Sequence, residues 1–243
     1  MRGDYGNPVQ TLRVGAAFPD PPFNGMPGDG GLDIDLMTEI AKALGMNVEF
    51  VHYDGADFNG IFDALAADAF DCVASGTAVT PERAKKAAFC APYLISGQSL
   101  AVDTVRLPHV GSVDDLGGLT IGVQQGDTGQ SIAAKLVAEG KAARVRVYGS
   151  IRSALNDLTT GECDAVMELA PVLTALVKPV KDVEVVQRAI STENIAIAVP
   201  TANRGLLDRI NAAQADLEVN GELQRIRRKW LGNPYVDQSL AGL

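Results

Sequence analysis

The chain is poor in the side chains on which much enzyme chemistry depends. It has two histidines, His52 and His109, and three cysteines, Cys72, Cys90 and Cys163, among 243 residues. An odd cysteine count without CxxC spacing indicates neither a disulfide framework nor a zinc site. Buried free thiols are the plain reading and a Cys72–Cys90 bridge the sharper one. His52 lies at a strand end and His109 in a loop with Pro108 and Gly111. HExxH and GxSxG motifs and a phosphate-binding P-loop are absent. Ser131 to Lys135 matches S-x-x-K, but the S-D-N and K-T-G companions are missing, so it reads as an ordinary helix face. Gly25 to Gly31 holds four glycines without forming the G-x-G-x-x-G turn of a dinucleotide site. No metal and no cofactor is expected.

Positive charge is also scarce. The net charge is −9, and the one basic cluster, Arg225 to Lys229, is interrupted by Ile226. Phosphate binding needs a basic face, so nucleic acid is excluded as a partner. No apolar run reaches the roughly 18–20 residues that span a bilayer. Met1 to Gln10 is polar, unlike a signal peptide, which implies either a cytosolic protein or a mature chain whose leader has been removed.

What is present is an ordinary globular composition, 47% hydrophobic and 21% charged, with β-rich runs alternating with amphipathic helical stretches. Strands are expected at 12–16, 48–51 and 71–74, and helices at 34–44 and 58–67. The cycle restarts with strands at 120–123, 144–148, 164–167, 183–186 and 195–199. Helices are expected at 128–138, 150–159, 171–178, 204–220 and 221–230. The polar stretch 103–115 has the composition of a connection between the two cycles. The fold class is α/β, with two lobes.

Three segments are suited to holding an anion. In Ser75 to Arg83, Thr80 is a natural helix cap and Pro81 fits the first helical position. Arg83 then falls in the first turn, where the helix dipole disfavours a cation, unless the guanidinium grips a carboxylate. A surface salt bridge is the plainer account. Gly126 to Ser131 follows a strand directly and opens a helix whose free N–H groups attract anions, or are simply capped. Phe18 to Phe23 forms a proline-stiffened loop at the carboxyl end of the first strand, where α/β sheets place ligands. Phe58 offers a flat face to a ligand or to the core.

Taken in order, these residues resemble the polar amino-acid-binding proteins of bacterial ABC importers, solute-binding family 3. Leu12 to Gly15, Pro21-Pro-Phe23, Gly31 to Leu36, Thr80-Pro-Glu-Arg83, Ala91-Pro-Tyr93 and Ser96-Gly-Gln98 are similar to the family's segments. So are Gly122 to Gly129, Asp164-Ala-Val166 and Lys229 to Gly232. The resemblance implies a type II periplasmic-binding-protein fold. Each lobe would be a mixed sheet flanked by helices, with two hinge strands between them. Lobe 1 would comprise residues 1–100 and 196–243, and lobe 2 residues 101–195. It implies a monomeric protein, periplasmic or extracellular, free or lipid-tethered, that closes over a carboxylate-bearing small molecule and delivers it to an ABC permease. Arg83 would take the carboxylate, with backbone N–H groups of Gly76 and Thr128.

The departures fall on the amine side. The aspartate expected for the ammonium is replaced by Leu169, with Glu168 beside it. A second acidic position aligns with Ala17, and the stacking aromatic with Asp20. The hydroxyl that assists the carboxylate aligns with Ala78, next to Thr77. The expected ligand contacts are therefore Arg83, Gly76, Thr77, Thr128, Phe58, Asp20, Phe18, Glu168 and Ser75, with Asp20 or Glu168 meeting a cationic group. Two alternatives remain on this scaffold. One is a cyclohexadienyl-dehydratase-like enzyme with Glu168 as general acid, and the other is the ligand-sensing domain of a receptor.

Overall fold

The computed structural model describes residues 9–26 and 28–232. In chain order its elements are β1 (Thr11–Ala16), α1 (Leu32–Ala43), β2 (Asn47–His52), α2 (Gly60–Ala66), β3 (Cys72–Val73), β4 (Ala87–Phe89), β5 (Leu94–Ser96), β6 (Gln98–Asp103) and β7 (Thr120–Gln124). They continue with α3 (Thr128–Ala138), β8 (Arg144–Tyr148), α4 (Ile151–Thr160), β9 (Ala165–Leu169), α5 (Ala170–Val177), β10 (Val183–Gln187), β11 (Glu193–Ile195), β12 (Ala198–Pro200), α6 (Arg204–Val219) and α7 (Glu222–Leu231).

Two five-stranded sheets repeat one plan. The first has the order β2-β1-β3-β12-β4 and the second β10-β6-β9-β7-β8. In each, three strands joined by helical crossovers run parallel, and a strand arriving from the other half of the chain enters antiparallel. The chain passes between sheets twice, and the passing segments β5 and β11 pair as a two-stranded antiparallel ribbon. The protein is thus two α/β lobes joined by two hinge strands.

Local sequence explains the elements. In α1, Leu32, Leu36, Met37, Ile40 and Ala41 are buried at helical spacing, and Gly45 takes up a φ of +67° as the helix ends. Helix α1 packs with α6 and α7 beside the first sheet. On its other face, Ile61, Phe62 and Leu65 of α2 meet Phe70 and Val73. Gly15 is required there, because a Cβ would lie 2.6 Å from the Phe70 ring.

Three expectations are corrected. The helix foreseen after Thr80 is only a 3₁₀ turn, Arg83–Lys85, although Thr80 Oγ1 does accept from Arg83 N–H at 3.2 Å. The segment 103–115 joins β6 to β7 inside the second sheet, and the crossing between sheets lies earlier, at β5. The single strand foreseen over 195–199 is split into β11 and β12, because the chain leaves the ribbon for the first sheet there. Cys72, Cys90 and Cys163 are all free and buried. Burial pushes the Cys90 thiol up to about 12, so these are unreactive packing residues.

Candidate functional site

Between the sheets lies a cavity of about 290 Å³. One wall comes from the carboxyl ends of β1, β2 and β3 and the turn carrying Arg83. The other comes from the loop after β7 with the start of α3, and from the ends of α4 and β9. Eight of the nine foreseen residues line it: Phe18, Asp20, Phe58, Ser75, Gly76, Arg83, Thr128 and Glu168. Thr77 does not line it. It is fully buried, its carbonyl accepts from Ala196 N–H at 3.0 Å, and its Oγ1 has no partner among the described residues.

Arg83 is only 5% exposed. Its Nε donates to Asn59 Oδ1 at 3.0 Å, one terminal nitrogen to the Ala78 carbonyl at 2.9 Å, and the other across the cleft to the Gly126 carbonyl at 3.0 Å. The guanidinium lies 5.2 Å from the centre of the Phe58 ring and 5.5 Å from that of Phe62. All three bonded partners are neutral, and no carboxylate ion-pairs with Arg83 among the described residues. Burial lowers its pKa, opposed by the more distant Asp127, Glu193, Asp57 and Glu168. A buried cation without a counter-charge is expensive, so this wall is prepared for an anion.

Two backbone donors flank it. Ala78 forms an antiparallel bridge with Ile195 in which the flanking residues bond, Val79 N–H to Asn194 O and Ala196 N–H to Thr77 O. That pattern leaves the Ala78 N–H open. Opposite, α3 begins at Thr128, whose N–H has no intrahelical partner and receives no cap from Asp127. Gly76 differs from expectation, because its N–H donates to Asp33 Oδ2 at 2.8 Å. Asp33 is fully buried and also accepts from Tyr93 Oη at 2.6 Å. Burial raises its pKa to about 6 against these hydrogen bonds. Gly76 therefore anchors the loop, and Ala78 is the unpaired donor. Ser75 Oγ is likewise engaged, accepting from Ala17 N–H at 3.0 Å.

The rest of the cavity is acidic and aromatic. Asp20, Asp54, Asp127, Glu168 and Glu193 line it, against the cations Arg83 and Arg152. Glu168 is 6% exposed, and burial together with Asp127 raises its pKa well above the usual range. Burial and Asp127 also raise Asp20, while burial brings Asp127 to about 6. Phe18 stacks on His52 with ring centres 4.3 Å apart. Leu169, at the position expected to hold an aspartate, lines the cavity with Val172. The sequence reading missed Asp127, Glu193 and Gln98. Glu193 accepts from the hydroxyls of Thr128 at 2.7 Å and Ser191 at 2.6 Å, and Gln98 Nε2 donates to Thr128 Oγ1 at 3.0 Å. Asp127 falls inside the segment Gly126 to Ser131 singled out for its backbone N–H groups, and its acid was legible there as a charge at a helix start.

A two-lobed α/β protein with hinge strands and a polar cleft between its sheets belongs to the class of cleft-closing solute-binding proteins. The bacterial extracellular solute-binding proteins, family 3, match residues 12–233, and the chain belongs to that family. It is 30% identical over 220 residues to an arginine-binding periplasmic protein of Mannheimia haemolytica, covering 87% of each chain. It is 29% identical to the L-cystine-binding protein TcyJ of Escherichia coli K12, covering 91% of this chain and 83% of the relative. Among solved structures, an ancestral arginine-binding protein bound to arginine superposes with a TM-score of 0.84 at 36% identity, over 91% of this chain and 98% of that one. An ancestral amino-acid-binding protein, AncCDT-1, described as a precursor of cyclohexadienyl dehydratase, superposes at 0.81 with 32% identity, over 90% and 95%.

Proposed function

We propose that this chain captures an amino acid with a cationic side chain outside the cytoplasm and delivers it, as a monomer, to an ABC permease. The observation that carries this reading is Arg83, a buried guanidinium bonded only to neutral acceptors in a cavity whose five acids outnumber its two arginines. The ligand carboxylate meets Arg83 together with the N–H groups of Ala78 and Thr128, one from each side of the cleft. The ligand's side-chain cation lies among Asp20, Asp54 and the faces of Phe18 and Phe58, where acids and aromatic rings both attract it. Arginine-binding and arginine-bound relatives support that choice. The ligand bridges both walls, so its binding energy favours the closed state over the open one.

The chain is read as a binding protein, as its relatives are, and Glu168 as a ligand contact. Titration calorimetry with L-arginine, L-lysine and L-glutamate is the direct test. One-to-one binding of a basic amino acid supports the reading, and binding of L-glutamate alone would overturn it. Prephenate consumption lost in Glu168→Gln would instead establish an enzyme.

A further inference from the structure

The amine side of the site has an acid that alignment did not point to. Asp127 stands immediately before α3, where a short carboxylate ordinarily accepts an N–H of its own helix. It makes no such bond. Its carboxyl instead lines the cavity beside that of Glu168 on β9, and the two acids act on each other's protonation. Two buried carboxyls that share one pocket cannot both ionise cheaply. They share a proton, or a cation takes its place.

Position completes the argument. An amino acid carries its ammonium and carboxylate on one carbon, so the two anchors must be neighbours. Three consecutive residues meet that condition. The Gly126 carbonyl holds the Arg83 guanidinium, Asp127 supplies the carboxyl, and Thr128 presents the free N–H. Gln98 fixes the same turn from β6: it is 1% exposed, lines the cavity, and its Nε2 donates to Thr128 Oγ1 at 3.0 Å.

We infer that Asp127, paired with Glu168, receives the ligand's α-ammonium and so determines that the site takes amino acids in preference to plain carboxylic acids. Because Asp127 does not cap α3, its carboxyl stays available to the cavity, next to the Thr128 N–H, which as the first of the helix has no intrahelical partner. The acid lost at Leu169 on β9 is thereby replaced from the neighbouring α3 start on the same wall. Asp20 is left for the side chain.

This inference rests on the amino-acid reading above, and the test separates the two. Binding of L-arginine and of δ-guanidinovalerate, which lacks only the α-amine, is measured on the wild-type protein, Asp127→Asn and Asp127→Ser. The wild type is expected to prefer L-arginine by about tenfold or more, the size of a lost charge-assisted hydrogen bond. In both variants that ratio is expected to fall towards one, with δ-guanidinovalerate bound about as before. L-arginine binding with the ratio unchanged in both variants would overturn the assignment alone. A wild-type protein that binds neither probe would overturn the amino-acid reading and this inference together.

Discussion

The guanidinium of Arg83 reaches across the cleft to the Gly126 carbonyl, 3.0 Å away, and one strand of backbone supports it, with Phe58 N–H donating to Gln125 O at 3.2 Å. These bonds join the two walls, so the proposed carboxylate anchor is also part of the closing contact. Arg83→Ala removes both, and affinity for any carboxylate ligand is expected to fall at least about a hundredfold, the effect of truncating one partner of a buried charged pair. Arg83→Lys keeps the charge but not the fork, and should recover only part of it.

Gly126 tests closure apart from chemistry. Its φ is +82°, and a Cβ would stand 2.1 Å from Asp57 Oδ1 and 2.8 Å from Phe58 N, both on the opposite wall. Gly126→Ala is therefore expected to hold the cleft open. Small-angle scattering in saturating ligand should show the larger radius of the open form, together with weakened binding.

Asp33 supports the binding loop from below. Asp33→Asn leaves one acceptor oxygen where Gly76 N–H uses Oδ2 and Tyr93 Oη uses Oδ1, and should destabilise the fold by about 1–3 kcal/mol in urea unfolding. Gly76→Ala should be at least as damaging, since φ is +55° and the new Cβ would meet the Phe23 ring at 2.7 Å.

How much of this was legible in the sequence differs by residue. Leu12 to Gly15 and the Leu32, Leu36, Met37, Ile40 stripe announced β1 and α1, because periodicity reports burial directly. Arg83 stood out as a cation at a turn start. The split of 195–199 was hidden, because Ile195, Ile197 and Val199 are apolar on whichever sheet they join. The exchange of Gly76 for Ala78 as donor was hidden as well, since Asp33 lies 43 residues from Gly76 and only the fold brings them together. Asp127 was hidden within the segment Gly126 to Ser131, whose backbone N–H groups drew the attention, and only the fold brings it to the cavity with Glu168.

Proton linkage gives a further prediction. Burial raises Asp33 and Asp127 to about 6, above the roughly 3.9 of an unfolded aspartate. The folded protein thus binds more protons than the unfolded chain between about pH 4 and about pH 6, and stability falls as pH rises through that window. Thermal unfolding of the ligand-free protein should show a higher midpoint at about pH 5 than at about pH 7. Saturating L-arginine, whose cation favours ionised Asp127, should flatten that slope.

The most direct measurement is calorimetric titration of L-arginine into the wild-type protein and Arg83→Ala at neutral pH. One-to-one binding by the wild type, absent in a variant whose circular dichroism and unfolding midpoint are unchanged, is the predicted result. Equal affinity in both proteins would contradict the assignment of Arg83 as the anchor on which the account is built.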